Sequence, residues 1–361
     1  MKINNLTASI ENSFRKQVQK DSKIKNAYLL VHSERNGVHI NIAEGLTNNM
    51  PANPQQPIYM ASVGKLFTSV IIGILVDKKK LSYDDKITEY LEYGLLNNLH
   101  IYKGKDYTDE IRIKHLLNQT SGLTDNFWAL LDELIKDKNL IITPREAIEW
   151  VKENGRPHFP PGKGFEYTDT NYHLLGLIIE NITDEPFHVT LTKYIFEPLD
   201  MRHSYMNQYS DPAEKSQFPT ADFFIRETRL NDIKGYASLD YAGGGVVATS
   251  EDLLKFMKAL VHYKIVTKNT LEEMKNACVR LGVGIDYGYG IWKIKTVPLL
   301  MPKKFNSWGV LGVTGSFMFY HQEKDAYIIG CFNDFSFEKK GIRFMLLNVV
   351  NQLYKYKNKN N

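Results

Sequence analysis

Strand-like alternation occurs at the two ends of this chain and hardly at all between them, which restricts the folds open to it. Near the N-terminus, "AYLLVHSERNGVHINIAEG" reads as two alternating strands, 27–33 and 38–43, around "RNG", where Asn36-Gly37 suits the positive φ values of a tight hairpin. Near the C-terminus, "YGIWKIK", "GSFMFYHQ" and "AYIIGCF" alternate or run apolar, with "EKD" as the turn between the last two. From about 80 to 235 the text is mostly helical. "RIKHLLNQTS" and "NYHLLGLIIENIT" carry the helical period, and "RPHFPPGKG" between them is a Pro/Gly-rich loop. One sheet built from both termini follows, with the central helices as an insertion. A length of 361 residues suits one large or two intimately connected domains.

Residues 5–20 read as a polar amphipathic helix, and "FEKKGIRFMLLNVVNQLYKY" as another. In "SVGKLFTSVIIGILVDKKK", Leu66, Phe67, Val70, Ile71, Ile74 and Leu75 recur at helical spacing, and the run ends in a Lys cluster suited to a helix C-terminus. Apolar on most faces, this helix is expected to be buried. Thr249 and Asp252 resemble a capping box for the helix that follows "YAGGGVVA".

Composition narrows the function classes. With 43% hydrophobic and 24% charged residues and a formal charge of only +4, the chain is globular, and no basic stripe with interleaved aromatics points to nucleic acid. The basic tail "YKYKNKNN" reads as a solvated, frayed terminus. Cys278 and Cys331 imply no disulfide framework, although they could pair. The first residues have no apolar h-region, and "VIIGILV" is far short of the ~20 residues of a membrane span. A soluble cytoplasmic protein is expected, unless a leader has been removed. The ten histidines are scattered without metal-ligand spacing, so neither metal nor cofactor is expected. "GGG" at 243–245 lacks the lysine of a phosphate loop and reads as a tight backbone turn beside a cleft.

Ser-x-x-Lys occurs four times, as Ser13/Lys16, Ser22/Lys25, Ser62/Lys65 and Ser336/Lys339. Only Ser62 opens the buried helix. Positions i and i+3 share a helix face, so Ser62 Oγ and Lys65 Nζ can meet. The helix N-terminus and burial both push a lysine toward its neutral form, and backbone N–H groups there can hold an oxyanion. Ser62 is thus a candidate nucleophile and Lys65 a candidate base, whereas Ser13 and Ser22 lie on charged segments and are expected at the surface.

"ASVGKLFTSVIIGILVDKKKLSYDDKITEYL", "IRIKHLLNQTSGL", "PGKGFEYTDTNYHLLGLIIENIT", "YIFEPLDMRHSYM", "AGGGVVATSEDLLKFMKAL" and "GYGIW" occur in order. Together they resemble the serine β-lactamase and penicillin-binding-protein superfamily, in its branch of class C β-lactamases, DD-carboxypeptidases, D-aminopeptidases and related esterases. The likeness covers about residues 27–335. It implies an α/β fold in which an antiparallel β-sheet flanked by helices, from residues 1–79 and 240–361, carries an inserted, mainly helical domain at 80–239. Ser62 matches the acylated serine, Lys65 its lysine partner, and Tyr167 the proton-shuttling tyrosine of the Tyr-x-Asn motif.

That motif here reads Tyr167-Thr168-Asp169. A carboxylate near Lys65 would favour the ammonium, and the cation would make the Tyr167 phenol more acidic, so that base duty could shift to it. Asn171 is an alternative polar contributor, or the cap of the following helix. The family's last motif, Lys-Thr-Gly or His-Thr-Gly, falls on "WGVLGVTGSF", either as Val310-Leu311-Gly312 or as Val313-Thr314-Gly315. In both registers valine replaces the cation.

The reading is a serine hydrolase acting through an acyl-enzyme on a small ester, amide or short peptide, with weak or no β-lactamase activity. Ser62, Lys65 and Tyr167 carry the chemistry, and Asp169, Val310, Gly312 and Val313 contact the substrate, with an oxyanion held by the Ser62 N–H and a strand N–H near Val313. No Glu-x-x-Leu-Asn segment supplies the deacylating carboxylate of class A β-lactamases. The alternative is a catalytically degenerate penicillin-binding-like protein that holds a peptide or cell-wall ligand without turnover.

Overall fold

A computed structural model describes residues 3–356. Its main sheet has nine strands, β1 (Asn26–Ser33), β2 (Val38–Thr47), β3 (Met50–Pro51), β4 (Val279–Gly282), β5 (Ile285–Tyr287), β6 (Trp292–Ile294), β7 (Ser307–Gly312), β8 (Ser316–His321) and β9 (Ala326–Cys331). They lie in the order β4-β5-β6-β7-β8-β9-β1-β2-β3. Neighbours pair antiparallel throughout. The first strand therefore sits between its own hairpin partner and the last strand, joining both ends of the chain as the distribution of alternating segments requires.

The hairpin turn differs from the expected one. Residues 34–37 form a four-residue loop closed by Gly37 N–H donating to Glu34 O at 3.0 Å, and of the pair only Gly37 has a positive φ, of 63°. Asn36 instead donates its side-chain amide to Ser33 Oγ and to Lys324 O, both at 2.8 Å, tying the hairpin to the β8–β9 turn.

Six helices matter to the site: α1 (Ile3–Lys20), α2 (Gly64–Asp77), α3 (Thr170–Thr183), α4 (Tyr236–Gly244), α5 (Ser250–Val261) and α6 (Glu338–Phe344). One sheet face packs on α1 and the C-terminal helices through Leu6, Phe14, Phe317, Phe344 and Val349. The other face covers α2, buried from Gly64 to Leu75 as its apolar faces demand. Around α2 gather Leu174, Ile178, Phe256 and Met206, so the largest core lies between the sheet and the central segment.

Residues 80–239 hold most of the remaining helices together with short strand pairs such as Ile101–Tyr102 with Lys105–Asp106. The boundary expected at 239/240 falls inside α4, and Tyr205–Met206 pairs with Val246–Ala248 across it. At α5, Thr249 caps the helix by accepting from Asp252 N–H, but the Asp252 carboxylate turns away to His203 N–H and Ser204 Oγ, so the capping box is half made. The C-terminal helix runs to Lys355, and of the basic tail only 354–356 lie within the described residues. Both cysteines are free thiols, Cys331 buried. Among the described residues no helix is long and apolar enough to cross a membrane.

Candidate active site

Ser62 sits in a single 3-10 turn, Ala61–Val63, which runs into α2. Ala61 has φ of 49°, a left-handed conformation that costs a non-glycine residue on the order of 1 kcal/mol or more. The turn is held from outside: Ser316 Oγ of β8 donates to Met60 O at 2.8 Å. Gly312, the last residue of β7, makes this approach possible. A Cβ there would lie 2.6 Å from Met60 O and 3.4 Å from Ser62 N, so any larger residue would push the strand from the serine.

Lys65 lies one helical turn on, wholly buried. Its Nζ donates to Ser62 Oγ at 3.1 Å, to Gly243 O at 3.1 Å and to the Asp169 carboxylate. Three acceptors use all three protons of an ammonium. Burial pushes the lysine down, but Asp169, Tyr167 and Asp240 outweigh it and the pKa is raised. The expectation that burial and the helix N-terminus neutralise Lys65 is thus overturned, while the effect expected of a carboxylate at 169 is what the geometry gives.

Tyr167 lies in the loop that precedes α3 and lines the same cleft as Ser62. The Lys65 Nζ stands 5.1 Å from its ring centroid. Burial raises the phenol's pKa and Lys65 lowers it, burial prevailing. Lys65 thus acts on the phenol in the expected direction, but burial outweighs it and holds the phenol above its ordinary range.

Asp169 is the residue before α3, but its side chain turns to Lys65 instead of capping the helix. Asn171 does not cap it either; within the helix it accepts from Ser121 Oγ at 2.7 Å and donates to Gln119 Oε1 at 2.5 Å. Two carboxylates absent from the sequence reading complete the site. Asp125 Oδ1 accepts from Asp169 N–H at 2.9 Å, and burial beside Asp169 pushes its carboxyl up to about 6. Asp240 Oδ2 accepts from Tyr59 Oη at 2.9 Å, and burial beside Asp169 pushes it up to about 7. No local pattern marks either residue; both are gathered by the fold from distant segments.

The glycine run is explained by crowding. A Cβ on Gly243 would lie 2.7 Å from Asp169 Oδ1 and 3.3 Å from Lys65 Nζ. Instead of a free turn, Gly243 and Gly244 end α4, which lets its backbone reach the buried ion pair.

Ser62, Tyr167, Asp169, Gly312 and Val313 all line one cleft of about 240 Å³, with Asp125, Asp240, Phe127, Trp128, Phe165, Leu281, Trp292, Leu311 and Glu338. Val310 is not among them. It is 1% exposed, pairs with Met318, and packs in the core on the face opposite to Leu311. Its expected contact with substrate is corrected to a packing role. The other three Ser-x-x-Lys copies have exposed lysines, Lys16, Lys25 and Lys339, so burial distinguishes Lys65 where spacing cannot.

The family model described as Beta-lactamase matches residues 14–349. The chain belongs to the Beta-lactamase family. Among curated relatives, Penicillin-binding protein 4* of Bacillus subtilis (strain 168) is 27% identical over 267 residues, covering 70% of this chain and 55% of its own length. The chain spans about half the length of that relative. Among solved structures, a D-amino acid amidase from Ochrobactrum anthropi SV3 complexed with D-phenylalanine superposes with a TM-score of 0.81 at 20% identity, over 98% of this chain and 100% of that one. EstCE1, a hydrolase with promiscuous acyltransferase activity, gives a TM-score of 0.76 at 18% identity, over 97% and 99% of the two chains. These likenesses bear on the fold, an antiparallel sheet with helices on both faces.

Proposed function

We propose that this chain is a serine hydrolase that cleaves an ester or amide through an acyl-enzyme on Ser62. One observation carries the reading: Ser62 and Tyr167 line one cleft, and the Ser62 hydroxyl accepts from the buried Lys65 Nζ at 3.1 Å. Both partners are protonated at rest, which favours a shuttle over a free base. As Ser62 Oγ bonds to the carbonyl carbon, its proton passes to the Tyr167 oxygen, and the Tyr167 proton passes to the departing alkoxide or amine. In deacylation water attacks, gives a proton to Tyr167, and Tyr167 returns one to Ser62 Oγ as the acid leaves. Lys65 remains a cation throughout and stabilises negative charge on either oxygen. The Ser62 N–H and an N–H near Val313 hold the carbonyl oxygen.

Carboxylate-bearing substrates are disfavoured. Among the described residues, four carboxyl side chains line the cleft, Asp125, Asp169, Asp240 and Glu338, and no Lys or Arg does. Penicillins are therefore poor substrates, and neutral or cationic amides and esters, such as the class of substrate named for the amidase, are better ones. Ser62→Ala tests the reading. Wild type treated with a fluorophosphonate should gain one adduct by intact mass and the variant none, and hydrolysis of p-nitrophenyl esters and D-amino-acid amides should vanish with it. Turnover retained in the variant sinks the acyl-enzyme; absence of adduct in wild type favours a ligand-holding protein without turnover.

A further inference from the structure

We propose that the apolar groove between the C-terminal helix and the main sheet is a subsite for a linear acyl chain, which makes a medium-chain acyl ester or amide the substrate. The inference rests on the acyl-enzyme reading and deepens it. The groove encloses about 350 Å³ and, among the described residues, carries one charged side chain, Arg343, against a lining that includes Ile285, Ile294, Phe305 and Phe319. It adjoins the Ser62 cleft: Trp292 and Leu311 line both. The C-terminal helix marks the same route. Glu338 lines the cleft, and Ile342 and Leu346, each four residues further on, line the groove, so one face of the helix runs from the serine's cleft into the apolar space. Beside the groove, at Met345–Val350, the helix widens to π-type hydrogen bonding, a geometry frequent at functional sites, as another helix also does at Thr192–Phe196.

Within this proposal the occupant is the acyl half of the substrate. The leaving group departs after the first step, whereas the acyl group stays on Ser62 through both. Apolar contact with it therefore serves acylation and holds the intermediate for attack by water. Leu300 and Leu347, 70% and 43% exposed at the groove's rim, are the apolar surface such a chain would cover.

Two measurements test this, one without turnover. For the first, kcat/KM is measured for p-nitrophenyl acetate, butanoate and octanoate, which share one leaving group. It should rise about tenfold or more from butanoate to octanoate, a conservative fraction of what four buried methylenes can supply. Leu346→Gln should collapse the octanoate-to-acetate ratio toward one. A flat or falling series in wild type overturns the proposal. For the second, Ser62→Ala is titrated with octanamide and acetamide by calorimetry. Octanamide should bind at least tenfold more tightly, and the preference should vanish in the Ser62→Ala/Leu346→Gln double variant. Chain-length-dependent binding without ester hydrolysis in wild type would retain the groove and remove the hydrolase reading. Hydrolysis without chain-length preference would do the reverse. Should wild type sediment as an oligomer that Leu346→Gln dissociates, with no preference for octanamide, the groove is a contact between copies and the proposal fails.

Discussion

Lys65 and Asp169, 104 residues apart in sequence, form a buried ion pair whose side chains are 0% and 9% exposed, and the lysine reaches Ser62 from it. Breaking such a pair ordinarily leaves an uncompensated charge and is costly, so its value lies in fixing the lysine's protonation and aim.

Asp169→Asn separates the two roles open to Lys65. Asp169 helps raise the lysine pKa, so its removal lets burial pull that pKa down. If the ammonium is the active form, the alkaline limb of the kcat/KM profile moves to lower pH, which is the expected outcome. Movement of the acid limb instead would make the neutral amine the base.

Gly312→Ala tests how closely β7 must approach the serine. The added Cβ would meet Ser316 Oγ at 2.2 Å and Met60 O at 2.6 Å. A displacement near 1 Å can cost about 100-fold in rate, so kcat should fall steeply while the far-ultraviolet circular dichroism stays native. Unchanged kcat would show that the strand end does not position Ser62.

Benzylpenicillin should acylate Ser62 poorly, by roughly 10- to 150-fold relative to a neutral ester once both are normalised to a penicillin-active enzyme, because a charged hydrogen bond worth ~1.5–3 kcal/mol is missing. Val310→His should not restore it. Val310 is in the core beside Met318, and a buried imidazole there should lower stability by about 1–3 kcal/mol. Mass spectrometry of the adduct and denaturant unfolding read the two effects; a relative gain in penicillin acylation would return Val310 to the cleft.

Stability should fall as pH rises through the acid range. The Asp240 carboxyl is raised to about 7, so the folded state holds a proton that the unfolded chain releases near pH 4. Its contribution is fully present below pH 4 and is lost by about pH 7. In melting curves at pH 5 and pH 8, Asp240→Asn, which cannot ionise, should gain roughly 2–4 °C on wild type at the higher pH. A constant difference at both values would show Asp240 ionised in the folded state throughout.

The outline of the fold was legible because period is a local property: β1, β2 and α2 follow from alternation and from helical spacing. Ser62, Lys65, Tyr167 and Asp169 were legible from ordered motifs. Asp125 and Asp240 were not, because a carboxylate's burial depends on segments far away in sequence. Val310 shows the same limit on a smaller scale. Alternation places it opposite Leu311, but only the packing of β7 on α2 decides which of the two faces the core.

The position of β1 between β9 and β2 also governs how the protein can be made. On the ribosome α2 emerges before the strands β4–β9 that will shelter it. Until Cys331 has been synthesised β1 lacks one of its two neighbours, and until Gly312 has been synthesised Ser62 has no strand against it. Each nascent chain therefore has no cleft until β7 has followed α2, and in that interval the apolar helix has only other helices to pack against.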